Sequence, residues 1–260
     1  MKKIVLFDMD GTLTPAREKM SMKMCKKLGD LQSLGFEIGI VTGSDMDYLK
    51  QQCDILSCIG PVDASLVHYM PCNGTKYYRL VDSRFQLQYS LDMKEEIKNK
   101  NYNVLLRKIL NLQSTIANNY PEMPLTGNFI NYRGSMINWC PIGRLANSKE
   151  RQLWSRLDRR YEIRKTWLSI LRRSLNQIDL ENVVIKLGGE TSFDIYPEGW
   201  DKTYAFKNFK DYKKIYFVGD RCQAYVGNDY EAYMLAGDKG FCTTGPDQTY
   251  NIINKIICDE

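Results

Sequence analysis

Two aspartates near the amino terminus have the spacing of a catalytic pair. Asp8 and Asp10 follow the apolar run 3–6 and precede a turn at Gly11. In an extended segment, side chains two residues apart point to the same face, so both carboxylates would lie together. Two like charges in a buried site are costly unless a cation offsets them. We therefore expect a cation-assisted reaction centre here rather than a polar surface turn.

The second half of the chain supplies further oxygen atoms of the same kind. Asp220 ends a strand-like run at 214–219, and Asn228 and Asp229 follow in a loop. Carboxylate and amide oxygens are the ligands that Mg²⁺ prefers in proteins. Lys202, at the start of a predicted helix, could place a fixed positive charge beside such an anionic site.

The elements around the first aspartates predict a parallel sheet. The strand at 3–6, a helix at 21–34 and a second strand at 36–41 form a βαβ pattern, which favours a right-handed crossover. Ligands of such sheets gather at the carboxyl ends of the strands. That rule places the hydroxyls of Thr42 and Ser44, just after the second strand, on the same rim as Asp8 and Asp10.

The middle of the chain has a different pattern. The segments 129–133 and 136–139 alternate around Gly134-Ser135 and predict an antiparallel hairpin. Long helical patterns occupy 91–120 and 148–175, and two more strands are expected at 183–187 and 192–196. We predict an α/β protein whose parallel-sheet core, 1–81 with 197–260, carries an inserted α+β domain at 82–196.

Composition is that of an ordinary globular protein. Net charge is +5, and hydrophobic residues make up 43% of the chain. No apolar run approaches the ~18 residues of a membrane span. The eight cysteines form no C-x-x-C pair, and there is one histidine, so a zinc site is disfavoured. Free thiols in a reducing compartment are the simpler interpretation, and we expect a cytoplasmic protein without a membrane partner.

Several strings resemble known families. Phe7–Pro15 resembles the first motif of the haloacid dehalogenase-like (HAD) phosphotransferases. Longer strings are similar to eukaryotic-type phosphomannomutases, and they span nearly the whole chain. These are residues 7–17, 132–133, 138–144, 188–194, 197–202, 219–220 and 227–229. The resemblance implies a Rossmann-like HAD core with an inserted cap domain.

The resemblance also implies an activity and its helpers. That family, an intramolecular phosphotransferase of the isomerase class, interconverts mannose 6-phosphate and mannose 1-phosphate for GDP-mannose biosynthesis. It works through an aspartyl-phosphate enzyme and a hexose bisphosphate intermediate. Mg²⁺ would be the cofactor and hexose 1,6-bisphosphate the activator. The expected partners are hexose phosphates and, through the cap domain, a second copy of the chain.

Residue roles follow from the same resemblance. Asp8 would be the nucleophile and Asp10 the general acid/base, with Asp10 reaching the metal through its backbone carbonyl. The predicted catalytic set is Asp8 and Asp10 together with Thr42, Ser44 and Lys202, which enter it through the positions described above. The implied metal set is Asp8, Asp10, Asp220, Asn228 and Asp229. The implied substrate-binding set is Arg17, Arg133, Arg144, Arg151, Ser192 and Asp194.

Two other functions remain open. A sugar-phosphate phosphatase, or a phosphoglucomutase, could use the same scaffold, since water exclusion decides what attacks the aspartyl phosphate. A second phosphate clamp built on Arg133 and Arg144 favours a mutase, because arginine forks bind phosphate oxygens in pairs. Residues 144–173 hold ten Lys/Arg against three Asp/Glu, as a nucleic-acid binder could. We consider nucleic acid the weaker prediction, because no base-reading motif accompanies the charge.

Overall fold

The computed structural model describes residues 2–58, 60–177, 180–224 and 227–259. The strands are β1 Lys3–Phe7, β2 Phe36–Val41, β3 Val67–Met70, β4 Lys76–Val81, β5 Arg84–Ser90, β6 Ile130–Tyr132, β7 Ile137–Trp139, β8 Val183–Gly188, β9 Ser192–Pro197, β10 Lys214–Gly219 and β11 Gly240–Cys242. The α-helices are α1 Met22–Ser33, α2 Met46–Cys53, α3 Met93–Glu96, α4 Asn99–Asn119, α5 Ser148–Tyr161, α6 Ile163–Asn176, α7 Tyr230–Ala236 and α8 Pro246–Cys258. They form two compact units, Met1–Ser90 with Gly199–Glu260 (unit 1) and Leu91–Glu198 (unit 2).

Unit 1 is built on a mixed sheet. Among the described residues its strand order is β11-β10-β1-β2-β3-β4-β5, and the first five strands are parallel. All four residues of β1 from Ile4 to Phe7 are fully buried, as expected for a central strand covered on both faces. Phe7 is in register with Val218 of β10 and Ile40 of β2. The residues that follow these three strands therefore meet at one edge of the sheet.

Helices cover both faces of this sheet. Apolar residues of α1, α2 and α8 pack on one face, among them Leu28, Leu49 and Ile253. Ala232 of α7 packs on the other face, together with Ala205 and Phe209 of a 3₁₀ segment, Lys202–Phe209. An α-helix was expected to open at Lys202; Asp201 does cap the segment there, but the turns that follow are the tighter 3₁₀ kind.

The boundaries between the units differ from those inferred from the sequence. β5 pairs with β4 along its length, and so continues the sheet of unit 1. Residues 82–90 therefore belong to unit 1, and the units divide after Ser90 and after Glu198 rather than at 82 and 197. An antiparallel hairpin at the sheet edge carries no βαβ signature, so the sequence pattern puts the boundary before β5 rather than after it.

Unit 2 is an antiparallel sheet backed by helices. Within the described residues its strand order is β6-β7-β9-β8, and α6 packs against β8 and β9. The helical pattern at 148–175 is two helices, because Glu162 takes a left-handed conformation with φ 48°. Likewise Lys98, with φ 68°, separates α3 from α4. None of the helices formed by the described residues is long and apolar enough to cross a membrane.

Candidate active site

The turn after β1 presents Asp8 at the edge of the central strand. The amide of Asp8 donates to the carbonyl of Val218 at 2.9 Å, which extends the parallel ladder by one bond. The carbonyl of Met9 then accepts from the amides of Thr12, Leu13 and Thr14. Asp8 is only 6% exposed, so its carboxylate is fixed at the end of a rigid strand rather than on a mobile loop.

Lys202 is the positive charge of the site. Its side chain is 1% exposed, and its Nζ donates to a carboxylate oxygen of Asp8 and, at 2.5 Å, to Oδ1 of Asp229. Burial by itself lowers the pKa of Lys202, but Asp229 and Asp8 outweigh burial and hold that pKa above its usual value. Lys202 is therefore a permanent ammonium between two buried carboxylates.

A third carboxylate completes an acidic cluster. Oxygens of Asp8, Asp220 and Asp229 lie within 4.8 Å of one another. Burial raises the pKa of Asp8 well above its usual value, and the charges of Asp229 and Asp220 add to this against the opposing effect of Lys202. Burial, followed by the charge of Asp229, raises the pKa of Asp220 to about 6. With all three ionised, Lys202 and Arg221, whose Nε lies 3.8 Å from Oδ2 of Asp220, still leave the cluster with a net negative charge.

These residues fit a hard divalent cation. Oδ1 of Asn228, the residue before Asp229, is buried and has no hydrogen-bond partner among the described residues. Asp229 already accepts from Lys202 at Oδ1 and from the amide of Arg221 at Oδ2. Asp8 accepts from Lys202 at Oδ1, and its Oδ2 is held only by a long 3.4 Å contact from the hydroxyl of Thr12. With Asp220 and Asn228 it offers an all-oxygen set of the type that suits Mg²⁺.

Two glycines allow this close approach. A Cβ on Gly11 would lie 2.5 Å from Oδ2 of Asp220, and Gly11 has φ +82°, which disfavours other residues. A Cβ on Gly219 would lie 2.6 Å from Cγ of Asp229. The turn and the two later aspartates can meet only because neither glycine has a side chain.

The carboxylate of Asp10 accepts hydrogen bonds from two groups outside the acidic cluster. The hydroxyl of Tyr48 donates to Oδ1 of Asp10 at 2.9 Å, and the amide of Arg17 donates to the same oxygen at 3.0 Å. The carboxylate of Asp10 is not a member of the acidic cluster. Arg17, predicted to contact substrate, is exposed and touches Asp10 through its backbone.

Thr42 and Ser44 form the turn after β2. Thr42 is 3% exposed, and its hydroxyl accepts from the amide of Ser44 at 3.1 Å. The carbonyl of Ser44 accepts from the amide of Cys72 at 2.9 Å. Both residues lie at the carboxyl edge of the parallel strands, and these contacts define the shape of the turn.

Unit 2 holds a second polar cluster centred on Asn138. The amide nitrogen of Asn138 donates to Asp194 Oδ1 at 2.7 Å and to Ser192 Oγ at 3.0 Å. Its carbonyl oxygen accepts from Nη1 of Arg144 at 2.8 Å. The sheet register explains the contact, because Asn138 pairs with Asp194 across β7 and β9. Three of the predicted substrate-binding residues thus meet on one face of this sheet.

The remaining predicted arginines lie elsewhere in unit 2. Arg133 follows β6, and its amide donates to the carbonyl of Met136 at 2.8 Å; only 7% of the residue is exposed. The backbones of Arg133 and Arg144 are at opposite ends of the β6–β7 hairpin, and the Arg144 side chain extends back to Asn138. Arg151 lies in the first turn of α5 and is partly exposed.

Part of the basic charge of 144–173 has a structural use. Arg164 donates to Asp158 Oδ2 at 2.6 Å and to the carbonyl of Gly189 at 3.0 Å. Arg172 donates to the carbonyl of Ile185 at 2.6 Å. These arginines tie α5 and α6 to each other and to the strands.

Sequence reasoning missed two residues of these clusters. Tyr48 gives no local signal, since its contact with Asp10 joins α2 to the turn after β1. Asn138 did carry a signal, because it is a polar residue between Ile137 and Trp139 in a short strand whose three residues are all buried. A buried amide requires hydrogen-bond partners, and here those partners are the predicted site residues.

Comparison with solved structures defines the class. An IMP-bound Plasmodium falciparum IMP-nucleotidase superposes with a TM-score of 0.65 at 14% identity, covering 99% of this chain and 68% of that chain. A trehalose-6-phosphate phosphatase related protein superposes with a TM-score of 0.53 at 14% identity, covering 98% and 97%. At this identity the likeness concerns the fold alone. The fold is that of the HAD-like phosphatases, a core with a cap, as predicted.

Sequence comparison then gives the family. A model of the eukaryotic phosphomannomutases matches residues 24–259. The phosphomannomutase of Schizosaccharomyces pombe is 35% identical over 98% of this chain and 95% of that protein. That of Saccharomyces cerevisiae is also 35% identical, over 98% and 94%, and that of Encephalitozoon cuniculi is 34% identical over 98% and 94%. This chain belongs to the eukaryotic phosphomannomutase family, which confirms the predicted family and enzyme class.

Proposed function

We propose that this chain interconverts mannose 6-phosphate and mannose 1-phosphate through a phosphorylated Asp8 and a hexose bisphosphate. The proposal depends on the position of the Asp8 carboxylate. It is a buried carboxylate at the end of the central strand, with one oxygen held by Lys202. An anionic nucleophile fixed beside a permanent cation is what attack on a phosphoryl group requires.

The residues of unit 1 divide the remaining work. Lys202 stays charged, and so balances negative charge on the phosphorylated aspartate. Asp10, held by Tyr48 and the amide of Arg17, delivers a proton to the departing sugar oxygen and removes it from the attacking hydroxyl. A positioned acid/base group of this kind typically contributes about 10²- to 10⁴-fold.

Mg²⁺ is the proposed cofactor. Asp8, Asp220 and Asn228 would hold it, together with the backbone carbonyl of Asp10, while Asp229 fixes Lys202. The cation would offset charge on the transferring phosphoryl group. Support for a dication comes from the acidic cluster, which carries more negative charge than Lys202 can neutralise, and from the unpaired oxygen of Asn228.

Unit 2 is proposed to bind the sugar and its other phosphate. Arg144, Ser192 and Asp194 already share Asn138 as a common partner, and Arg133 and Arg151 would complete the clamp. A mutase must release the bisphosphate from one orientation and rebind it in the other. The clamp therefore has to accept either phosphate, which arginine forks can do. Hexose 1,6-bisphosphate would act as activator by phosphorylating Asp8.

The first test is covalent labelling of Asp8. Asp8→Asn should keep the fold but abolish turnover and incorporation of phosphate from labelled acetyl phosphate or a hexose bisphosphate. The exposed Asp211→Asn is a matched control, which should label and turn over like wild type. Labelling of the Asp8→Asn protein would disprove the nucleophile assignment.

The second test separates a mutase from a phosphatase. Arg144→Ala should reduce mutase activity by about one to two powers of ten, since losing a charge-assisted contact costs ~1.5–3 kcal/mol. Labelling of Asp8 from acetyl phosphate should stay near wild type, and phosphate release per mutase turnover should rise. Arg156→Ala, on the exposed face of α5, is the control. If the wild-type enzyme releases phosphate freely and a bisphosphate does not activate it, the phosphatase alternative is favoured instead.

The cellular setting belongs to the same proposal. We propose a cytoplasmic homodimer, paired through the cap domain, that supplies mannose 1-phosphate for GDP-mannose biosynthesis. A reducing compartment is consistent with eight free cysteines. Sedimentation of the purified protein, compared with that of a separately expressed cap domain, would test the dimer and its interface.

A further inference from the structure

Two cysteines that phosphoryl transfer does not use lie beside the end of β10. Cys242 is the last residue of β11 and pairs in register with Gly219. Cys222 follows β10, and its thiol donates to the carbonyl of Gly219 at 3.4 Å. The thiol of Cys242 lies 3.9 Å from the carbonyl of Asp220. Both sulfurs thus lie beside the last two backbone carbonyls of this strand end, and the register of β10 and β11 makes the two cysteines neighbours.

Both residues are accessible to solvent. Cys242 is exposed and Cys222 is partly exposed, whereas Cys25, Cys53, Cys72 and Cys140 are buried. Cys58 and Cys258 are the other exposed thiols. Reaction at a cysteine depends on access, and a second thiol nearby allows the first reaction to be completed as an intramolecular bond.

We propose that Cys222 and Cys242 form a reversible disulfide when the protein meets a small-molecule disulfide such as oxidised glutathione, and that this bond weakens cation binding at the acidic cluster. The second half of this statement rests on the proposed function. The first half depends only on the two thiols and their surroundings.

The exchange balances without any other reactant. The thiolate of Cys242 attacks one sulfur of the small disulfide, whose S–S bond breaks and releases one thiol. The thiolate of Cys222 then attacks the Cys242 sulfur of the mixed disulfide, which forms the Cys222–Cys242 bond and releases the second thiol. Two electrons pass from the cysteines to the small disulfide, and the protons of the two cysteines end on the released thiols.

The bond would act on the site through Arg221. The amide of Arg221 donates to Oδ2 of Asp229 at 3.0 Å, and its carbonyl accepts from the amide of Asp229 at 3.0 Å. Cys222 is the next residue. A disulfide brings the sulfurs to ~2.05 Å, so Cys222 must leave the carbonyl of Gly219 and take the Arg221 backbone with it. Asp229, and Lys202 through it, would lose their present positions.

Thiol mapping and cation binding test the two halves separately. The full chain is treated with oxidised glutathione, alkylated, and analysed by intact mass and peptide mapping. We expect the intact mass to fall by about 2 Da on oxidation when it is measured before alkylation, and a peptide joining Cys222 to Cys242 after alkylation. In calorimetric titration with Mg²⁺, the oxidised protein should bind about tenfold more weakly, the lower end of the effect of disturbing groups behind a metal site. Dithiothreitol should restore binding.

Variants make the result specific. Cys222→Ser and Cys242→Ser should each prevent the disulfide and keep Mg²⁺ affinity unchanged after oxidation, while Cys258→Ser should respond like wild type. If the pair stays reduced while Cys58 or Cys258 is glutathionylated, the disulfide is refuted. If the disulfide forms and Mg²⁺ affinity does not change, the coupling is refuted. If the protein binds no Mg²⁺ before oxidation and yet forms the disulfide when oxidised, the proposed cofactor is refuted and the thiol chemistry is not.

Discussion

Replacing Lys202 by methionine removes the positive charge of the site while keeping a side chain of similar length. Lys202 is 1% exposed, and its partners Asp8 and Asp229 are 6% and 0% exposed. Breaking a buried ion pair by deleting one partner typically costs ~3–5 kcal/mol, because an uncompensated charge stays buried. Here two carboxylates lose their shared ammonium. We therefore expect Lys202→Met to lower the free energy of unfolding by about 3–5 kcal/mol at neutral pH without divalent cations.

Urea unfolding in EDTA measures this loss. Lys19→Met is the matched control, because Lys19 also forms a 2.5 Å ion pair, with Asp54, but its side chain is 65% exposed. Exposed pairs contribute ~0–1 kcal/mol, so this variant should unfold close to wild type. Adding Mg²⁺ should stabilise Lys202→Met more than wild type, because a dication would replace the missing charge.

The pH dependence has a definite sign. Burial already raises the pKa of Asp8 well above its usual value and that of Asp220 to about 6. Loss of Lys202 raises the pKa of Asp8 further, so its folded value exceeds the unfolded value. Below the folded pKa the group is protonated and its charge is no longer buried. The deficit of Lys202→Met should therefore shrink as the pH is lowered from neutral through the raised folded pKa of Asp8.

A double-mutant cycle gives the decisive comparison. Asp8→Asn removes one of the two uncompensated charges, so the loss caused by Lys202→Met should be smaller in the Asp8→Asn background than in wild type. If Lys202→Met unfolds within about 0.5 kcal/mol of wild type in EDTA, the buried ammonium is not what stabilises the carboxylates, and this explanation of the site is wrong.

Two further predictions concern Asp10 and His68. Asp10→Asn should slow the sugar-phosphate reaction by about 10²- to 10⁴-fold while leaving phosphate transfer from acetyl phosphate, which needs no proton, near wild type in a labelling assay; equal losses would reduce Asp10 to a structural role. Burial, reinforced by the charge of Arg79, lowers the pKa of His68 to about 4. The unfolded chain therefore binds the extra proton between about pH 6.5 and 4, where up to ~3 kcal/mol of stability should be lost as pH falls. His68→Gln should flatten that part of the urea-midpoint profile, and an unchanged profile would contradict the assignment.

Local patterns were sufficient for much of the fold. The apolar run of β1, the Gly11 turn and the helix before β2 are short-range features, because propensity and periodicity act over a few residues. The carboxyl-edge rule for parallel sheets placed Asp8 and Thr42 at one edge, and the parallel pairing of β1 with β2 has them there. The family followed from strings that span the chain, which the comparisons confirm.

Tertiary structure decided the partners. Lys202 meets Asp8 across 194 residues of chain, and Tyr48 meets Asp10 across 38. No periodicity reports which side chains a long-range contact joins, since such contacts depend on how strands and helices pack. Tertiary structure also determined that the first segment of unit 1 extends to Ser90, because β5 belongs to that sheet through its pairing with β4. From the sequence came the residue types of a phosphoryl-transfer site. The fold determined which of these residues form ion pairs with one another, because only packing removes the water that would otherwise screen their charges.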